Sequence, residues 1–155
     1  MATKSMNAYL PMLIVLLLLG DVIGRTSAEL DDVFVVVFNM LQADLSRSTS
    51  SLIGGELKED TCGGILNEFG SCDVEILPNY NGNVSYSAFW TGLGSSPFGF
   101  KLTADPEAFL PVPVVTLVNT NEPRVYLNSS SKLASSTGAT VCVAFCSQQS
   151  CPYCF

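Results

Sequence analysis

The spacing of apolar and polar positions changes part-way along this chain, and the change divides it. From Asp73 onward short apolar stretches alternate with turn residues. In Val84-Ser-Tyr-Ser-Ala-Phe-Trp90 the positions Val84, Tyr86, Ala88 and Trp90 alternate with Ser85 and Ser87, the period-2 signature of a half-buried strand. Residues 74–77, 98–102, 112–118, 125–127 and 140–145 supply further candidate strands, separated by loops rich in Gly, Pro, Ser and Asn. Asn81-Gly82, between the first two candidates, is a strong hairpin turn signal. Repeated short strands with such turns predict a mostly β fold: a small disulfide-stabilised antiparallel sandwich or barrel, with or without one N-terminal helix packed on it.

That helix is the reading preferred for residues 31–45. Leu30, Phe34, Val37, Phe38, Leu41 and Leu45 fall on one helical face, and Asp31 or Asp32 is placed to cap its start. The β-branched and aromatic run 33–38 argues instead for a buried strand. Residues 46–51, almost all Ser and Thr, read as a polar linker with hydroxyls open to O-glycosylation. Gly54-Gly55 and Gly63-Gly64 read as turns, and residues 65–69 as a helical turn before Gly70.

Residues 1–28 have the form of a secretory signal peptide. Lys4 provides the positive start, 10–19 an apolar core, and Thr26-Ser-Ala28 small residues for cleavage, while Asp21 and Arg25 interrupt the run before it reaches membrane-spanning length. The expected product is a single secreted domain, 29–155, with an acidic, loop- or helix-containing part at 29–72 and a β-rich, Cys-rich part at 73–155. It has no expected membrane anchor.

Charge is uneven. The chain carries a net −7, and between Glu29 and Glu75 ten acids face only Arg47 and Lys58. Nucleic acids and anionic membranes are bound through Lys and Arg, so an acidic front without a basic patch argues against both. Glu29, Asp31 and Asp32, or Glu56, Glu59 and Asp60, offer carboxylates for weak Ca2+ or a mineral surface. The ordered Asp-x-Asp-x-Asp-Gly loop of a tight calcium site is absent, and no metal or cofactor site is expected.

Six cysteines in an oxidising compartment, Cys62, Cys72, Cys142, Cys146, Cys151 and Cys154, read as three disulfides. Sequence leaves the pairing open. The chain-entropy model favours two bridges tying Cys62 and Cys72 to the C-terminal cluster, each closing a loop of roughly 70 to 90 residues worth about 4 kcal/mol. Cys151-Pro-Tyr-Cys154 resembles the active-site tetrapeptide of glutaredoxins, which implies thiol–disulfide exchange. That chemistry needs a helix to follow the motif, and only Phe155 follows it here, so the match is read as coincidence. Four clustered cysteines also have loose zinc-ligand spacing, against which oxidation is expected to win. Two sequons, Asn83-Val-Ser85 and Asn128-Ser-Ser130, are candidate N-glycosylation sites.

No histidine is present. That removes Ser-His-Asp and Cys-His catalysis and His-ligated zinc hydrolysis, and no catalytic residue is assigned. A non-enzymatic, glycosylated binding or structural protein is the expectation, associated with the extracellular matrix or a mineral and partnered by protein, glycan or mineral. A diffusible effector of toxin, defence or signalling type is the alternative. A secreted thiol–disulfide or carboxylate enzyme comes third.

Overall fold

The computed structural model describes residues 30–155 apart from 80–81, 95, 107–110, 120, 136, 152 and 155; the segment read as a signal peptide lies outside the described residues. Ten strands form among the described residues: β1 (Asp32–Met40), β2 (Leu45–Ile53), β3 (Gly55–Asp60), β4 (Ile65–Leu66), β5 (Ser71–Pro78), β6 (Val84–Thr91), β7 (Phe98–Ala104), β8 (Val114–Asn119), β9 (Tyr126–Leu133) and β10 (Gly138–Cys146). They make two five-stranded sheets, sheet A in the order β3-β5-β1-β10-β9 and sheet B in the order β4-β2-β6-β7-β8. Pairing is antiparallel throughout except between β1 and β10, which run parallel. The predicted disulfide-stabilised sandwich is the fold observed. No described helix is long and apolar enough to cross a membrane.

The two sheets bury their inner faces against each other. Alternation decides which side chains enter: Val84, Tyr86, Ala88 and Trp90 of β6 are fully buried, as are Val33, Val35 and Val37 of β1. Aromatic rings dominate the centre. Phe145 of β10 packs tilted on Trp90 at 5.2 Å and edge-on to Phe98 at 5.1 Å, joining sheet A to sheet B. Burial pushes the Tyr86 phenol up to about 12, with Arg47 opposing the shift and Asp60 adding to it.

Four sequence expectations change. Residues 31–45 are a strand followed by a turn, not a helix. β1 lies between β5 and β10, so both of its edges are paired, and its apolar run is that of a central strand. Residues 46–51 are not a linker but most of β2, paired with β6 through a bulge between Arg47 and Thr49. Their serines face solvent, which removed the apolar half of the alternation. Residues 65–69 contain β4 and a turn rather than a helical turn. Finally, the turn signal at Asn81-Gly82 does not make a hairpin, because β5 belongs to sheet A and β6 to sheet B. Gly82 adopts a φ of 133° on that crossing; Asn81 lies outside the described residues.

At the other crossing, β2 leaves sheet B and β3 enters sheet A through Gly54, whose φ is 77°. A Cβ there would stand 2.3 Å from the Asn83 carbonyl oxygen, so only glycine fits. Arg47 and Asp60 close the same edge of the sandwich. Arg47 Nη1 donates to Asp60 Oδ1 at 2.7 Å, and this hydrogen bond raises the guanidinium's pKa further.

Candidate functional site

The last strand organises the end of the molecule where the site lies. Cys142 and Cys146 stand four residues apart on β10 and therefore share its outer face. Cys142 bonds Cys154 and Cys146 bonds Cys151. The two nested bridges draw the segment after β10 back across sheet A as a clasp. Beneath it Cys146, Ala144 and Cys151 form a small buried cluster with Phe38, Met40 and Cys154, separate from the main core. Asn128 of β9 fastens the clasp from the side, its Nδ2 donating to the Cys151 carbonyl at 2.8 Å.

The third bridge, Cys62–Cys72, joins the end of β3 to the start of β5. The expected long-range pairing is therefore not found, and the reason is geometric. Cys72 registers with the inward-facing Val37 of β1, whereas Cys142 registers with the outer-face Val36. Sulfurs on opposite faces of a sheet, two strands or roughly 10 Å apart, lie beyond disulfide reach. Cys151 and Cys154, each bonded elsewhere, do not form the dithiol pair of the glutaredoxin tetrapeptide.

Between the clasp and the turn from β4 to β5 lies a cleft of about 260 Å³, lined by Met40, Phe69, Cys146, Ser147, Gln148, Ser150, Cys151 and Tyr153. No charged side chain is among them. Phe69 and Tyr153 form its rim and are 58% and 50% exposed. Tyr126, opposite Cys146 in the β9–β10 register, and Ile65 of β4 add exposed apolar surface to the same end of the sandwich. Phe69 is held outward by an unusual backbone: its φ is 55°, in the left-handed region that non-glycine residues rarely enter. Asn39 supports that turn. Fully buried at the end of β1, it donates Nδ2 to the carbonyls of Ala43, Leu66 and Asn67, and its backbone N–H donates to Gly70.

Of the residues singled out from sequence, only Cys146 and Cys151 line this cleft. Asn83 lies at the opposite end of the sandwich, exposed and beside the start of β6. Among the described residues no three Asp, Glu, His or Cys side chains gather to hold a metal ion. Asp60 and Glu75 are instead ion-paired with Arg47 and Lys58. Met40, Phe69, Tyr153 and the supporting Asn39 escaped the sequence reading. The available signal was an aromatic residue in a loop beside a cysteine, at Phe69 before Cys72 and at Tyr153 within the last pair.

No protein-family model matches the chain, and no curated protein matches its sequence. Solved structures do match in fold. The crystal structure of the lipid binding protein Nakanori superposes with a TM-score of 0.57 at 8% identity, over 88% of this chain and 79% of that one. IP-1A from Alcaligenes faecalis superposes with a TM-score of 0.51 at 9% identity, over 80% of this chain and 96% of that one. At these identities the likeness is one of fold.

Proposed function

We propose that this chain is a secreted, non-enzymatic binding protein that docks on lipid surfaces through the aromatic-rimmed cleft under its C-terminal clasp. The observation that carries the reading is the pair of exposed rings, Phe69 and Tyr153, flanking an uncharged cleft at one end of a rigid sandwich. Ile65, Phe69, Tyr126 and Tyr153 bring four exposed apolar side chains to this end of the sandwich, and such a gathering marks a surface that meets another apolar phase. Rings with one wet edge suit the boundary between headgroups and acyl chains. The serine hydroxyls and the Gln148 amide beside them suit hydrogen bonding to a headgroup.

Charge narrows the surface. With a net −7 and no cation in the cleft lining, attraction to anionic lipid is absent, so the expected partner is net-neutral lipid and its binding varies little with salt. A fold shared with a lipid binding protein is in keeping with this reading. Three disulfides fit an oxidising, extracellular setting, and the apolar leader at 1–28 fits delivery there. Among the described residues no carboxylate cluster suited to a metal ion gathers, and Asp60 and Glu75 are ion-paired, which favours lipid over a mineral as partner.

Flotation with phosphatidylcholine vesicles, at low and high salt, tests the proposal. Binding is expected to persist at high salt and to fall at least tenfold in Phe69→Ser with Tyr153→Ser. Binding only to phosphatidylserine vesicles, or binding unchanged in the double variant, would overturn it.

A further inference from the structure

The two sequons sit in opposite structural situations. Asn83 is exposed and lines a second cleft, of about 290 Å³, together with Thr103, Ala104, Asp105, Pro111, Val112 and Val114. Val112 and Val114 are exposed apolar side chains within it, Val114 at 63%. Asn128 is half-buried and its Nδ2 already donates to the Cys151 carbonyl. Its own carbonyl faces Cys154 Sγ, and the hydroxyl of Ser130, the third sequon residue, is buried opposite Cys142.

We propose that the native protein carries one N-glycan, on Asn83, whose innermost sugar lies in the cleft against Val112 and Val114, and that Asn128 is unmodified because its amide is the latch of the C-terminal clasp. The inference rests on the secretion part of the reading above and not on lipid binding. In the attachment step the Asn83 Nδ2 loses one N–H and bonds the anomeric carbon of a polyprenyl-diphosphate-linked oligosaccharide. The polyprenyl diphosphate leaves and the proton passes to solvent. The same reaction at Asn128 precedes folding, and its product places a sugar where Cys151 and Cys154 must lie to reach Cys146 and Cys142. Chains modified there cannot close the clasp. A sugar on Asn83 meets no such conflict, and the apolar face of its ring covers the two valines that the protein leaves bare.

The placement also orients the molecule. Asn83 precedes β6, and the opposite end of that strand lies roughly 25 Å away at about 3.3 Å per residue, on the side of the aromatic cleft. The glycan therefore points away from any surface that Phe69 and Tyr153 touch.

The test expresses the full chain in glycosylating eukaryotic cells and maps glycopeptides and disulfides of the secreted protein by mass. One glycan on Asn83 and a bare Asn128 are expected in protein with three disulfides. Ser85→Ala, which spares Asn83 itself, is expected to remove the glycan mass, and Ser130→Ala, which spares the Asn128 amide, to leave it unchanged. Nuclear Overhauser contacts are expected between the first N-acetylglucosamine and the methyls of Val112 and Val114. A bare Asn83, a glycan on Asn128 in disulfide-complete protein, or absence of those contacts would each overturn the proposal. Failure of the leader is distinguishable, because the chain is then retained without sugar or disulfides, and the same full chain behind a heterologous leader restores entry and repeats the measurement.

Discussion

Down β1 the outer face of sheet A carries Phe34, Val36, Phe38 and Met40, and across β10 it carries Cys142, Ala144 and Cys146. At the equivalent positions the middle of sheet B presents Ser51, Ser85, Ser87, Lys101, Thr103 and Thr116, with Phe89 across from Gly99 as the one aromatic and Ile53, Val114 and Val118 as aliphatic residues towards the strand ends and the edge. The clasp covers the lower part of the first face, while the second is bare and hydroxyl-rich. An apolar outer face has to be covered by something, and here the cover is a covalently tied segment of the same chain. The hydroxylated middle of sheet B needs none: Ser51 and Ser87 hydrogen-bond each other at 2.9 Å in the open.

The shared core is where the two faces should respond alike. Phe145→Ala, which removes a ring contacting both Trp90 and Phe98, is expected to cost about 3–5 kcal/mol, and both sheets should melt together in denaturant. Opening the clasp should separate them. Cys142→Ser with Cys154→Ser frees a bridge spanning 12 residues, worth about 3 kcal/mol on the chain-entropy model. Hydrogen exchange should then rise on β9 and β10 while β6 and β7 stay protected. Equal loosening of both sheets would break the contrast.

Smaller changes refine it. The Tyr86 hydroxyl is buried with no hydrogen-bond partner among the described residues. Tyr86→Phe is therefore expected to leave stability at neutral pH unchanged or raised by up to about 1 kcal/mol. Its phenol, at about 12 in the folded chain against about 10 when unfolded, stays neutral in the fold while the unfolded form ionises. Stability should therefore be full below pH 10 and decline as pH climbs towards 12, and the variant should flatten that decline in alkaline unfolding curves. Smallest of all, Ser87→Ala on the bare face should shift stability by less than about 0.5 kcal/mol in thermal unfolding.

This contrast also explains which parts of the fold were legible in the sequence. Strands with one face in the core and one in solvent, β6 above all, announce themselves by alternation. β1 does not, because Phe34, Val36 and Phe38 on its far side are as apolar as Val33, Val35 and Val37 on its near side, and a run apolar on every side has no period to read. β2 fails for the opposite reason: its solvent-facing serines drown the few inward residues. The disulfide count followed from composition and compartment, but the pairing depends on which face of a sheet each sulfur occupies, and that is set only once β1 lies between β5 and β10. The cleft was the least legible, since Met40, Phe69 and Tyr153 are brought together by the clasp and by the buried amide of Asn39, and no spacing in the sequence links them.

The parallel pairing of the first strand with the last gives the chain an awkward order of birth. Asp32 to Met40 are made early, yet their neighbour on one side is Gly138 to Cys146. During synthesis β1 can dock only on β5, and its other edge, along one of the most apolar strands of the fold, stays unpaired until β10 has been made. Long-range closure of this kind is slow, and exposed strand edges invite association with other chains. A premature stop before Gly138 would therefore not yield a smaller working version of the fold. It would leave the centre of sheet A as a permanent open edge, and the expected fate of such a chain is aggregation or removal by quality control.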